Sequence, residues 1–216
     1  RQILALGQTE LLVNLMWFRI NMNLANPLVQ RNVDQLFGHA KWRNERFMSL
    51  RGEERERAFL DFFRAEVGAK FSIPFRFPFS PEDRMAGGAN RTKFYLVHFS
   101  NHPKAALLMK SVMHGAGAQL RALRQPKAGE PVQLSLFEQK ADEPDLSVLR
   151  DDLLRHFGRR RVAFDDIQTE TIEWPFIEAD YRQVIKSLEE NGVVTVQRVT
   201  SKTKRGLSGR DVVIFP

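Results

Sequence analysis

EADYRQVIKSLEE, at residues 178–190, is followed by Asn191-Gly192 and then by VVTVQRV at 193–199. The first stretch predicts an amphipathic helix, because its apolar side chains recur at helical spacing and a glycine closes it. The second predicts a strand, since β-branched residues dominate it. The loop TSKTKRGLSG, at 200–209, separates this strand from another, DVVIF at 211–215. A basic, glycine-containing loop between two short strands predicts a hairpin directly after the helix.

Two further helices are predicted upstream of this hairpin. Asp145–Phe157 (DLSVLRDDLLRHF) has leucines on one face, and Phe164–Glu173 begins with two acidic residues, which favour a helix N-terminus. Trp174-Pro175 breaks the chain before the third helix. The order of three helices, a strand, a basic loop and a strand is typical of a winged helix-turn-helix domain, which we assign to residues 144–216.

The basic and amide side chains of this domain are candidate nucleic-acid contacts. The third helix has a net charge of −2, so the wing and the Arg159–Arg161 run are predicted to bear the phosphate contacts. Side chains of the helix itself would at most read bases. A winged helix that contacts protein is the alternative. The candidates are Arg159, Arg160, Arg161, Arg182, Gln183, Lys186, Arg198, Lys202, Lys204, Arg205 and Arg210.

Composition narrows the class of protein. The chain of 216 residues has a net charge of +7, which favours a polyanionic partner such as nucleic acid, although a solvated basic surface is the plain alternative. Cysteine is absent, and the five histidines are scattered without metal-ligand spacing, so no metal site is predicted. No apolar run of membrane length and no signal peptide are visible, so no membrane partner and a cytoplasmic location are expected.

The first 124 residues read as an α/β segment. Their order of strand, helices, strand, loop, strand and helix predicts parallel strands that end in an antiparallel edge hairpin. Ile3–Gly7 looks like the end of a helix, so we expect a preceding segment. The predicted elements are strands Thr9–Met16, Phe71–Phe79 and Lys93–Ser100 and helices Leu24–Phe37, Glu53–Val67 and about Asn101–Leu123.

Residues 125–143 read as a linker with one apolar island. The island Gln133, Leu134, Ser135, Leu136 and Phe137 resembles the pentapeptide with which many bacterial replication and repair proteins bind the sliding clamp. An extended peptide can place the glutamine amide in a polar pocket and the Leu-Phe pair in an apolar one. The alternative is an intramolecular strap that packs the linker onto one domain.

Two segments resemble the three-Cys-motif partner protein family. They are Lys93–Met113 (KFYLVHFSNHPKAALLMKSVM) and Glu178–Val199. Members resemble class I S-adenosylmethionine-dependent methyltransferases with a C-terminal winged helix. The resemblance implies that residues 1–124 are the C-terminal half of a Rossmann-like methyltransferase sheet. It also implies a radical-SAM-like protein with a three-cysteine motif as a partner.

The cofactor-binding motifs of the family are missing from this sequence. A glycine-rich turn between strand and helix, an acidic ribose ligand and a D-P-F-G-like motif are not found, and Gly87-Gly88 lies between two predicted strands. S-adenosylmethionine is therefore expected for the complete protein, whereas these 216 residues are expected not to bind it alone.

In such a sheet the substrate lies at the carboxyl edge of the parallel strands. Trp17, Phe18, Arg19 and Asn21 follow the first strand and are the substrate-edge candidates, where an aromatic pair beside an arginine would stack a flipped base. Core packing of Trp17 and Phe18 is the alternative. The Pro81–Asn90 loop is expected to be a flap at that edge, and Asn101-His102-Pro103 a structural helix start.

No catalytic residue can be named from the sequence. The leading hypothesis is part of a methyltransferase-like enzyme that acts on nucleic acid, with DNA favoured. The second is a non-catalytic nucleic-acid- or partner-binding module on a Rossmann-like scaffold.

Overall fold

The computed structural model describes residues 9–79, 91–122, 145–199 and 206–216. The chain divides into two compact units. Within the described residues, the first unit contains 9–79, 91–109 and 115–122, and the second contains 110–114, 145–199 and 206–216. No helix in these ranges is long and apolar enough to cross a bilayer.

The first unit contains a three-stranded sheet of β1 (Leu11–Leu15), β2 (Phe71–Pro78) and β3 (Thr92–Ser100), in the order β1-β3-β2. Both outer strands pair antiparallel with β3, with Leu15 opposite Tyr95 on one side. The antiparallel hairpin of β2 and β3 is confirmed, and β2 lies at an edge as its prolines predict.

The parallel pairing expected for β1 is wrong among the described strands, because β3 lies between β1 and β2. The two outer strands do run in the same direction, each being antiparallel to β3. β3 was expected at the edge and is central, in keeping with its side chains: Val97, His98, Phe99 and Ser100 are all buried. The nearly continuous apolar run of Thr9–Met16 also predicts a strand buried on both faces, but Leu12 in β1 is 54% exposed.

The helix expected over Leu24–Phe37 is shorter than predicted and is preceded by an unpredicted one. α2 (Gln30–Phe37) covers its second part, whereas α1 (Trp17–Asn23) follows β1 directly. Asn26 and Pro27 separate them: the Asn26 side chain accepts the Leu28 N–H at 3.1 Å, and proline disfavours a helical conformation at the residue before it. α3 (Gly52–Val67) and α4 (Pro103–Ala122) agree closely with expectation. Short 3-10 turns at Lys41–Asn44 and Arg46–Met48 were not predicted.

An aromatic core joins the helices of the first unit to one face of its sheet. The Trp17 ring lies 5.1 Å from that of Phe59, and Phe59 also packs edge-on against Phe47. Burial of side chains of this size supplies most of the stabilisation of such a core. The largest fully buried members are Trp42, Phe47, Phe59 and Phe99.

The second unit has the predicted three helices and one strand more than predicted. Its elements are α5 (Leu146–Phe157), β4 (Arg161–Ala163), α6 (Phe164–Glu170), α7 (Glu178–Glu190), β5 (Thr195–Gln197) and β6 (Val212–Ile214). The strands form an antiparallel sheet in the order β4-β6-β5.

Local contacts explain the element boundaries of the second unit. The Asp145 carboxylate accepts the Ser147 N–H at 2.9 Å and caps α5. α6 ends three residues earlier than expected, where the Thr171 hydroxyl donates to the Ile167 carbonyl at 2.7 Å. The core of the unit is continuous and apolar, with Leu149, Leu153 and Ile185 fully buried.

Candidate nucleic-acid interface

Arg182 of α7 makes hydrogen bonds and a cation–π contact within the protein. Its Nε donates to Glu178 Oε1 at 2.8 Å, and its guanidinium also donates to the Leu207 carbonyl. The guanidinium carbon lies 4.9 Å from the Phe164 ring centroid. Arg182 therefore fastens α7 to the C-terminal side of the wing, and base reading would require it to leave these contacts.

The other charged candidates near α7 are also paired. Lys186 Nζ lies 3.7 Å from the Glu190 carboxylate, on the exposed side of the helix. Arg198 donates to both carboxylate oxygens of Glu189 at 2.6 and 2.7 Å, and this hydrogen bonding holds the pKa of Glu189 below its usual value. Gln183 is exposed on the same helix and is the neutral candidate of the set.

The three consecutive arginines have three different environments. Arg160 binds the Glu170 carboxylate with two hydrogen bonds of 2.8 and 3.0 Å, which lower the pKa of Glu170. Arg161, in β4, donates to Gln197 Oε1 at 2.7 Å. Arg159 has no ion pair with any described residue, and its φ of 63° is left-handed. Its N–H donates to the Pro216 carbonyl at 2.7 Å, which helps hold this conformation.

Asp211 closes the base of the wing, a role that the sequence reading missed. The side chain is 2% exposed and accepts the N–H groups of Val199 at 3.0 Å and Ser208 at 2.7 Å. Burial alone would raise the pKa of Asp211, but these hydrogen bonds and Arg198 outweigh it and keep the pKa low. The available signal was the spacing Ser208-x-x-Asp211, in which an acid can accept the serine N–H across a turn.

The predicted wing contacts are only partly described. Arg210 is exposed and has no ion pair with a described residue. Lys202, Lys204 and Arg205 lie outside the described residues, as do Gln133, Leu134, Leu136 and Phe137 of the linker and the loop Pro81–Asn90.

The substrate-edge candidates of the first unit separate into core and surface. Trp17 is 3% exposed and belongs to the core, as the alternative interpretation held. Phe18 is half-buried and lies edge-on to Phe79, with ring centroids 4.9 Å apart. Arg19 is exposed, and Asn21 Oδ1 is buried without a hydrogen-bond partner in the described part of the chain.

Two cations beside this aromatic pair were not among the candidates. The Arg91 guanidinium carbon lies 6.0 Å from the Phe18 centroid, and Lys93 Nζ lies 5.4 Å from that of Phe79. The sequence pattern placed Lys93 at the start of a strand and gave Arg91 no role. The missed signal was the basic residue on each side of Thr92, whose own side chain is buried.

Positive charge is unevenly divided along the chain. Residues 1–122 contain 18 Lys and Arg against 10 Asp and Glu, a net charge of +8. Residues 145–216 contain 12 of each and are neutral. The basic excess therefore lies outside the winged helix, although most of the sequence-predicted contacts lie within it.

Comparison with known families identifies the second unit. Residues 124–201 match the model of the GMT-like wHTH domain. No curated protein and no solved structure matches the chain. The family match and the observed helices and strands together establish a winged helix-turn-helix domain in this part of the chain.

Proposed function

We propose that this protein binds nucleic acid and that its winged helix is one of the contact surfaces. The match of residues 124–201 to a winged-helix family carries the proposal, because this fold commonly places a helix and a wing against nucleic acid. Fold alone does not fix function, so the surface chemistry must select the contacts.

Within the winged helix, the contacts come from the cations without internal acidic partners. Arg159, Arg161 and Arg210 meet this condition among the described residues, and the wing residues Lys202, Lys204 and Arg205 have no acidic residue between them in sequence. Arg160, Lys186 and Arg198 would have to exchange a carboxylate for a phosphate, which offsets most of the gain. The wing, rather than α7, then supplies most of the affinity.

The test is the salt dependence of binding to a labelled duplex by the full chain. Each phosphate contact in B-DNA contributes a slope of about 0.9 in log K against log salt. Replacing Lys202, Lys204 and Arg205 by alanine should reduce the slope by about three of these contacts. The control removes Arg150 and Arg155, exposed cations on α5 with acidic neighbours, and should leave the slope nearly unchanged. Equal slopes in both variants would contradict the proposal.

We further propose that the first unit is part of a methyltransferase-like sheet. β1 and β2 run in the same direction around an antiparallel β3, and their carboxyl ends lie at one edge, followed by α1 in the case of β1. This arrangement supports the resemblance to the three-Cys-motif partner family. Nucleic acid, with DNA favoured, would be the substrate of the complete protein.

The residues present do not fit S-adenosylmethionine. β1 passes to α1 through Met16, without the glycine turn that such a cofactor site uses. Calorimetry should therefore detect no binding of S-adenosylmethionine to this chain. Micromolar affinity would contradict this assignment of the strands.

A binding module without catalysis is the second candidate. The Gln133–Phe137 island favours it, since a clamp ligand would bring the protein to replicating DNA. A peptide of residues 130–139 should bind the sliding clamp of the same organism, and changing Leu136 and Phe137 to alanine should abolish binding. A radical-SAM-like partner is likewise a proposal, to be tested by co-purification.

A further inference from the structure

We propose that Phe18, Phe79, Arg91 and Lys93 of the first unit form a second nucleic-acid contact, which holds one unpaired nucleotide. These four residues are called the aromatic-cation patch below. The inference rests on the proposed function, since it names the form of nucleic acid that the first unit binds.

The charge distribution points to the first unit. A polyanion is attracted by net positive charge, and residues 1–122 carry +8 whereas the winged helix is neutral. The surplus positive field of the protein therefore originates in the first unit.

The geometry of the patch suits a base and a phosphate. Phe79 is 7% exposed and packs against Phe18, which is only half-buried and is the more exposed residue of the two. The 6.0 Å between Arg91 and the Phe18 centroid is at the outer limit of a cation–π contact. A base can take the place of the guanidinium over the ring, and the guanidinium can then bind the adjoining phosphate.

The backbone holds the patch together. Phe79 N–H donates to the Arg91 carbonyl at 2.8 Å, so the supporting ring and the cation are joined across the hairpin. The Thr92 hydroxyl donates to Glu56 at 2.6 Å and also accepts from Arg76 at 2.7 Å. The Tyr95 hydroxyl donates to the same Glu56 oxygen at 2.5 Å. The two hydroxyl groups of β3 therefore bind Glu56, and this anchors Thr92, which lies between the two cations of the patch.

An unpaired nucleotide is the ligand that this chemistry selects. Paired bases in a duplex present only their edges, whereas a single-stranded or flipped base can offer its face to an aromatic ring. Stacking tolerates any base, since every base has a π face. Arg19, exposed next to Phe18 on α1, adds a further cation for the backbone.

The experiment compares single-stranded and duplex oligonucleotides, as DNA and as RNA, by anisotropy with the full chain. Phe18→Leu should weaken single-strand binding about tenfold, as expected for one lost base stack, and change duplex binding less than about twofold. Arg91→Gln with Lys93→Gln should also weaken it and lower the salt slope by about one to two contacts. Thermal denaturation checks that each variant is folded.

Matched controls are Phe75→Leu, which removes a partly buried aromatic ring of β2, and Lys104→Gln, which removes an exposed cation of α4. Both should bind as the unmodified chain does. Unchanged single-strand binding by Phe18→Leu and by the double variant would overturn the patch while leaving the winged-helix proposal intact. Equal losses for duplex and single strand would overturn it too. Failure of the unmodified chain to bind any oligonucleotide would overturn both proposals.

Discussion

The two units satisfy their polar groups in opposite ways. In the described part of the winged helix, the buried Asp211 has two N–H partners, and no buried side-chain nitrogen or oxygen lacks a partner. In the first unit, Asn21 Oδ1, Arg55 Nε and His98 Nδ1 are buried and have no hydrogen-bond partner among the described residues. Net charge differs in the same sense, because residues 145–216 are neutral whereas residues 1–122 carry +8. Among the described residues, every buried side-chain nitrogen and oxygen of the winged helix has a hydrogen-bond partner, whereas three such atoms of the first unit do not.

The largest expected change in stability is in the winged helix. Asp211→Ala should lower the free energy of unfolding by about 1–3 kcal/mol, because two backbone donors lose their buried acceptor. Urea denaturation of the full chain measures it. Asp151→Ala removes an exposed carboxylate beside Arg150 and should change stability by less than about 0.5 kcal/mol. Equal effects of the two substitutions would show that the wing base does not depend on Asp211.

In the first unit, we expect a substitution of a buried polar residue to raise the free energy of unfolding. Asn21→Leu should raise the free energy of unfolding by about 1–2 kcal/mol, since it removes a buried acceptor that has no donor. Asn14→Leu, at an exposed position of β1, is the matched control and should be close to neutral. A loss of stability in Asn21→Leu would mean that water or a ligand satisfies the amide, and would remove part of the contrast between the units.

Acid should act on the winged helix through its lowered carboxyl pKa values. The pKa values of Glu170, Glu189 and Asp211 are below their ordinary values of 4.5 and 3.8. Their contribution to stability is therefore complete above about pH 4.5 and is lost as pH falls through the lowered values. The urea midpoint at pH 3.5 should fall relative to pH 7. The variant with Arg160→Gln and Arg198→Gln should lose less, and an equal loss would exclude these pairs as the cause.

The smallest effect is expected at Arg159. A left-handed conformation costs a non-glycine residue about 1–2 kcal/mol, and glycine avoids this cost. The greater flexibility of glycine in the unfolded chain offsets part of the gain. Arg159→Gly should therefore stabilise the protein by about 0.5–1 kcal/mol while it weakens duplex binding. Arg155→Gly, within α5, should instead destabilise by about 1 kcal/mol. Unchanged binding by Arg159→Gly would remove it from the interface.

Sequence patterns predicted the parts of the fold that local chemistry determines. α7 begins and ends at the predicted residues because its apolar spacing, its acidic first turn and Asn191-Gly192 all agree. The helix predicted from Leu24 begins only at Gln30, because Asn26-Pro27 was not taken as a boundary. β4 was missed because a run of arginines does not look like a strand, although Val162 at its centre is buried against the core.

Pairing between distant segments was harder to predict. The parallel pairing of β1 was predicted from the order of the elements, but its neighbour is decided by where the β2–β3 hairpin places β3. The candidate site had the same weakness. Phe18 was named from its position after β1, whereas Phe79, Arg91 and Lys93 reach it only through the fold. The ion pairs that engage Arg160 and Arg198 join residues about ten positions apart, and a count of basic residues does not show them.

The hydrogen bonds from Val199 and Ser208 to Asp211 fix both ends of the wing, so we expect the wing to be exchangeable between proteins. A segment whose two ends are fixed can vary in sequence and length at small cost, since doubling a loop adds only about 0.6 kcal/mol. We therefore expect residues 200–206 to accept the wing sequence of another protein if Leu207, which packs against the core and accepts from Arg182, is kept. Such chimaeras would transfer a preference for one polyanion to a new scaffold without redesign of its core.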